Sequence, residues 1–170
     1  MKELLYGALR WHRKIFWILQ KTSTIDLEKV PPQVQAALVL GAYQIFYMDR
    51  VPDRAAVNES VEYVRTRGHK GAIKFTNGVL RSIARRSEYF AKPDKDKNPD
   101  EYLSLQYSHP RWLVRRWLVR FGFDRTKTGS NAVAQYSGEL NRKYENLKSC
   151  PEKYILWFHH VPWDYEMKSG

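Results

Sequence analysis

A chain of 170 residues, 43% hydrophobic and 14% aromatic, is long enough to bury one compact core with an appendage, which excludes a wholly disordered polar tail. Its formal net charge of +11 predicts a polyanionic partner, and the excess lies before Gly122: 22 Lys and Arg against 12 Asp and Glu in residues 1–121, but 7 against 6 in residues 122–170. One cysteine, Cys150, excludes an intrachain disulfide and a cysteine-built metal cage. The N-terminal Met1-Lys2-Glu3-Leu4 lacks the apolar run of a secretion signal, and no stretch approaches the roughly 20 apolar residues of a membrane span, so a cytoplasmic chain with no membrane partner is expected.

Apolar residues at helical spacing (Leu5, Leu9, Phe16, Leu19), with Arg10, His12, Arg13 and Lys14 among them, predict one amphipathic helix from Leu4 to Leu19. Pro31-Pro32 marks the start of a second, whose buried stripe is Val34, Leu38, Ala42 and Ile45 and which ends near Met48. Asp53 is the expected N-cap of a third, built on Val57, Val61 and Val64 and ended at Arg67-Gly68. A fourth runs from about Gly71 to Arg86 on Phe75, Val79, Leu80 and Ile83, with Lys70, Lys74, Arg81, Arg85 and Arg86 on its charged side. The alternating charges and prolines from Lys92 to Asp100 predict a flexible linker. Ser108-His109-Pro110 then caps a short helix, Arg111 to Phe121, and a second linker, Thr126 to Asn131, precedes a helix with Val133, Tyr136, Leu140, Tyr144 and Leu147 on one face. Cys150-Pro151 opens a last helical turn into the aromatic tail around Trp157, Phe158 and Trp163. Helices joined by short turns make the expected fold class all-α, a bundle with an additional C-terminal helical segment.

Three ordered stretches carry a family resemblance: Leu5-Tyr6-Gly7-Ala8-Leu9-Arg10-Trp11; Leu40-Gly41-Ala42-Tyr43-Gln44-Ile45 running into Asp49-Arg50-Val51-Pro52; and Ala56-Val57-Asn58-Glu59 followed by Asn77-Gly78-Val79-Leu80-Arg81. Together they resemble the NusB-like N-terminal RNA-binding domain of the RsmB (Fmu) type of ribosomal RNA cytosine-5 methyltransferases, and Tyr107-Ser108-His109-Pro110 looks like the entry to those enzymes' next region. The resemblance covers about residues 1–121 and implies a NusB-like bundle that binds ribosomal RNA. It also implies that a helix usual in the family before Leu4 is missing, and that the S-adenosylmethionine-binding domain with its cysteine nucleophile has no counterpart, since Ser149-Cys150-Pro151-Glu152 is not the family's catalytic context. Residues 122–170 are similar instead to the C-terminal region of bacterial α-glucuronidases, through Gly122-Phe123-Asp124-Arg125-Thr126 and Trp157-Phe158-His159-His160-Val161-Pro162-Trp163. The expected organisation is therefore an RNA-binding domain at 1–90, a linker and short helix at 91–121, and a glucuronidase-like fragment at 122–170, with a fusion junction near Phe121-Gly122.

The candidate RNA-binding set is Arg10, Arg13, Lys14, Lys70, Lys74, Arg81, Arg85 and Arg86, cations able to neutralise phosphates whatever the RNA sequence. Tyr6, Trp11 and Tyr43 could stack on unpaired bases, though core packing is the favoured reading. Asn58 and Asn77 are expected to satisfy backbone groups between helices. Adjacent His159 and His160 point to different faces, so no metal site is expected, and no cofactor; Cys150 has no visible activating base, and Glu139, Glu145, Glu152 and Asp164 no barrel to hold them across a sugar. The expectation is a non-enzymatic RNA-binding module. The alternatives are a protein-interaction module using the groove of the missing helix, self-association through the exposed aromatic tail, and a non-catalytic glucuronidase fragment.

Overall fold

The computed structural model describes residues 2–67, 70–86 and 92–144, with side chains for 3–67, 70–85 and 92–132. All regular structure among them is helical: α1 (Lys2–Arg10), α2 (His12–Thr22), a single 3-10 turn (Leu27–Lys29), α3 (Pro32–Tyr47), α4 (Asp53–Arg67), α5 (Lys70–Arg86), α6 (Pro99–Tyr107) and α7 (Arg111–Tyr144). The all-α expectation holds.

The first five helices share one core. Ile15, Leu19, Leu27, Leu38, Leu80 and Ile83 are almost wholly buried in it, with Val57 and Val64 from α4. Two glycines permit this density. A Cβ on Gly7 would strike the ring and hydroxyl of Tyr43, and one on Gly41 would strike Ser60 and Leu80, so a side chain of α3 lies on the α1 backbone, and side chains of α4 and α5 lie on the α3 backbone. These are the glycines of two of the family-like stretches.

The predicted helix from Leu4 to Leu19 is two helices. Trp11 leaves helical geometry (φ −94°, ψ 7°), although its N–H still donates to Gly7 and its carbonyl still accepts from Ile15. The bend turns α1 so that Ala8 faces the core while Leu5, expected on the apolar side, is 51% exposed. Asp53 is also one position further in than expected: the Pro52 carbonyl accepts from Ala55 and Ala56, so Asp53 is the first helical residue, where a carboxylate complements the helix dipole.

The larger corrections come after Lys92. Pro99 and Asp100, assigned to a linker by their polarity, open α6, which buries Leu103, Ser104 and Leu105. Proline is tolerated in a first turn, and the polar run continues through the first turn of α6 before Leu103 and Leu105 turn inward. Thr126 to Asn131, the second expected linker, is helical: Thr126 and Ser130 are buried, and the Thr126 hydroxyl donates to the Gly122 carbonyl one turn back. The break lies instead at Gly122 (φ 71°, ψ 178°), which splits α7 after Phe121; that positive φ is one that glycine adopts without strain. The backbone stays helical through Val133, Tyr136, Leu140 and Tyr144, whereas Leu147, Cys150 and the aromatic tail lie outside the described residues.

Candidate nucleic-acid interface

The cations proposed from sequence form two sets. Lys70, Lys74, Arg81 and Arg85 are all exposed on α5, and at 3.6 residues per turn they fall within about 60° of one another around the helix axis. α5 contains no Asp or Glu, and among the described residues none of the four is in an ion pair. Arg85 Nε donates to the Arg81 carbonyl at 3.2 Å, which holds two of the charges side by side. Lys70 to Arg85 spans about 22 Å of helix. Arg86 ends the helix; its side chain lies outside the described residues.

Arg10, Arg13 and Lys14 are only half exposed and are engaged within the protein. Arg10 lies 5.5 Å from the Trp11 ring, and Lys14 Nζ lies 5.4 Å from Trp11 and 5.8 Å from Tyr47. Arg13 Nε donates to Ser104 Oγ at 3.1 Å. Burial pushes the Arg13 and Lys14 pKa values down, with Glu101 opposing the shift at Arg13 and Lys92 adding to it at Lys14. Lys14 and Arg13 therefore brace α2 against α3 and α6 respectively, as well as presenting charge.

The aromatic candidates divide in the same way. Tyr43 is buried and stacks on Tyr47 at 5.2 Å, and Trp11 stacks on Tyr47 at 5.1 Å, so both serve packing. Tyr6 is half-buried. Asn58 is exposed, and among the described residues neither it nor Asn77 hydrogen-bonds a backbone group, in contrast to the bracing role expected of them. No group of three His, Cys, Asp or Glu side chains among the described residues could hold a metal ion, and none of their helices is long and apolar enough to cross a membrane. Cys150, Glu145, Glu152, His159, His160 and Asp164 lie outside the described residues.

Sequence reasoning missed a polar joint where α2, α6 and α7 meet. The Lys14 backbone N–H, in the first turn of α2, donates to Ser108 Oγ at 3.4 Å, so a distant chain segment caps that helix. Ser108 sits in the left-handed region (φ 56°) to end α6. Ser104, fully buried, donates to the His109 carbonyl at 2.6 Å while accepting from Arg13. Asp100 accepts from Arg111 Nε at 2.8 Å and Arg115 Nε at 2.6 Å. Burial raises the Asp100 pKa, but hydrogen bonds from Arg111, Arg115 and the Glu101 backbone outweigh it and hold the carboxyl well below the usual range. His109 Nε2 donates to the Ser130 carbonyl at 3.2 Å, and its ring meets Trp117 edge-on. Burial keeps this imidazole's pKa low, the Ser130 bond opposing. The spacing of Asp100 to Arg111 and Arg115 is visible in the sequence, but only the turn at Ser108 brings them together.

Comparison with known proteins matches residues 1–85 to the NusB family and residues 53–170 to the glycosyl hydrolase family 67 C-terminus. The second match begins further upstream than residue 122 and overlaps the first through α4 and most of α5. The chain is 41% identical over 124 residues to a probable ribosomal RNA small subunit methyltransferase B of Bacillus subtilis, covering 73% of this chain and 27% of that protein. It is 34% identical to the Synechocystis protein of the same description, covering 88% of this chain and 38% of that one. It is also 48% identical over 50 residues to a probable alpha-glucuronidase A of Aspergillus niger, 29% of this chain and 6% of that protein. The chain thus spans only a minor part of each relative. No solved structure matches it.

Proposed function

Because the chain belongs to the NusB family over residues 1–85 and to the glycosyl hydrolase family 67 C-terminus over residues 53–170, we propose that it is an RNA-binding helical module for ribosomal RNA, working through the first of these regions. The observation that carries this reading is the exposed row Lys70, Lys74, Arg81 and Arg85 along α5, which has no acidic neighbour on its own helix. A row of this kind neutralises successive phosphates and releases their counterions, giving affinity without base reading. Arg10, Arg13, Lys14 and Arg86 complete the set, the first three with less of their charge offered to solvent. Ribosomal RNA is the favoured target because relatives aligned over most of the chain are described as small-subunit ribosomal RNA methyltransferases.

We assign the module no chemistry of its own, and no cofactor. Within it, residues 1–90 form the binding domain, 91–121 the link and helix that extend it, and 122–170 a glucuronidase-like appendage, with a boundary at the Gly122 break. The test is a fluorescence titration of overlapping transcripts tiling small-subunit ribosomal RNA with the full chain, beside the variant Lys70→Glu, Lys74→Glu, Arg81→Glu, Arg85→Glu. Binding to at least one transcript that weakens with salt and is lost in the variant is the expected result. A folded chain that binds none of the transcripts would overturn the reading and direct attention to protein partners.

A further inference from the structure

Gly7 and Gly41 have a reason inside the molecule, since a side chain at either would collide with a neighbouring helix. Gly78 has none among the described residues. It sits in the interior of α5, is exposed, and a Cβ built there meets no described atom within 4 Å. A glycine in a helix interior costs about 0.5 to 1 kcal/mol relative to alanine, so helix stability and packing both argue for a larger residue. Its position explains the exception. Lys74 stands one turn before it and Arg81 about one turn after, with Lys70 and Arg85 beyond them on the same side. The half-exposed Asn77 beside it makes no hydrogen bond among the described residues, which leaves its amide available. Among the described residues Gly129 is equally open, but within one turn on its side stands a single cation, Arg125.

We infer that Gly78 is the point of closest approach between α5 and the sugar-phosphate backbone of the bound RNA: a notch in the cationic row into which the strand settles, with Lys74 and Arg81 on either side and Asn77 at its edge. This rests on the RNA-binding reading and adds where the strand lies. Charge complementarity selects the occupant, because a notch framed by four cations with no acidic residue on the helix suits a polyanion. Close approach also places the phosphates nearer the Lys and Arg stems and lets the Asn77 amide reach a ribose hydroxyl or a phosphate oxygen.

The experiment uses the full chain and whichever small-subunit ribosomal RNA transcript binds it in the tiling assay. Four proteins are compared by affinity and thermal melting: the parent, Gly78→Ala, Gly78→Leu and Ala36→Leu, the last a neutral enlargement at an exposed site on α3. Gly78→Ala is expected to melt higher yet bind the RNA more weakly, an opposition of signs that a merely structural glycine would not produce. Gly78→Leu is expected to weaken binding about tenfold or more while Ala36→Leu leaves it unchanged. If Gly78→Leu fails to fold, Gly78→Ala decides alone by the same two readouts. Undiminished affinity in the folded Gly78 variants, with the four-charge reversal still abolishing binding, would overturn the notch and leave the RNA reading intact. Loss of binding in neither set would overturn the notch and the α5 row together as the face that meets the RNA.

Discussion

His109 is a buried imidazole whose Nε2–H is committed to the Ser130 carbonyl and whose pKa burial holds below 6.5. The folded protein therefore resists a proton that the unfolded chain accepts, and stability falls as pH drops through 6.5 toward the lower folded value. Melting followed from about pH 7.5 to about pH 5.5 should show this decline, and His109→Gln, which keeps a donor but does not titrate, should flatten it. Asp100 acts in a more acidic window. Its pKa is depressed, so its contribution is complete above 3.8 and fades as pH falls below that toward the folded value. Asp100→Asn should cost about 1 to 2 kcal/mol in urea unfolding at neutral pH, a range reduced because both guanidiniums are partly solvated. A loss too small to measure would mean that the Arg111 and Arg115 contacts do not hold α6 to α7.

Single helices were legible where one apolar stripe meets one buried surface. The stripes of α3, α4 and α5 follow from Val34, Leu38 and Ala42, from Val57 and Val64, and from Val79, Leu80 and Ile83, all of which are buried. The break at Trp11 was not legible because the apolar spacing runs through it; tertiary contact with α3 and α6 makes two helices of one pattern. α6 was hidden because its first turn, Pro99-Asp100-Glu101, reads as a continuation of the polar run before it. The joint between α2, α6 and α7 turns on Ser104, whose hydroxyl is shared by Arg13 and the His109 carbonyl. Ser104→Ala leaves that carbonyl without its hydroxyl donor and frees Arg13, and should destabilise by about 1 to 2 kcal/mol. Arg13→Gln measured in both backgrounds distinguishes the causes: its effect should shrink when Ser104 is already alanine.

For the whole molecule, the charge asymmetry has a measurable consequence. If the row on α5 supplies four phosphate contacts, log affinity for single-stranded RNA should fall with log salt at a slope of about −2.8. Replacing the four by Gln one at a time should lower that slope by about 0.7 each, whereas a slope kept by every single variant would place the contacts elsewhere, with Arg10, Arg13 and Lys14 the next to test. The basic set was legible as composition but not as geometry. All eight cations look alike in the sequence, yet Arg13 and Lys14 are drawn into the α2–α6 joint and the Trp11–Tyr47 stack, while the α5 four stay in solvent.

By itself the sequence determined the all-helical class, the family of residues 1–85, the helices α3 to α5 and the cationic excess before Gly122, because each of these is written in local periodicity, ordered motifs or residue counts. The tertiary structure decided which cations stay exposed to solvent, where α1 parts from α2, that Thr126 and Ser130 are buried in a helix, and that Gly78 meets no other described residue. Those outcomes depend on which surfaces meet across the bundle. Burial and hydrogen-bond partnership are properties of pairs of segments distant in sequence, and no spacing within one segment encodes them.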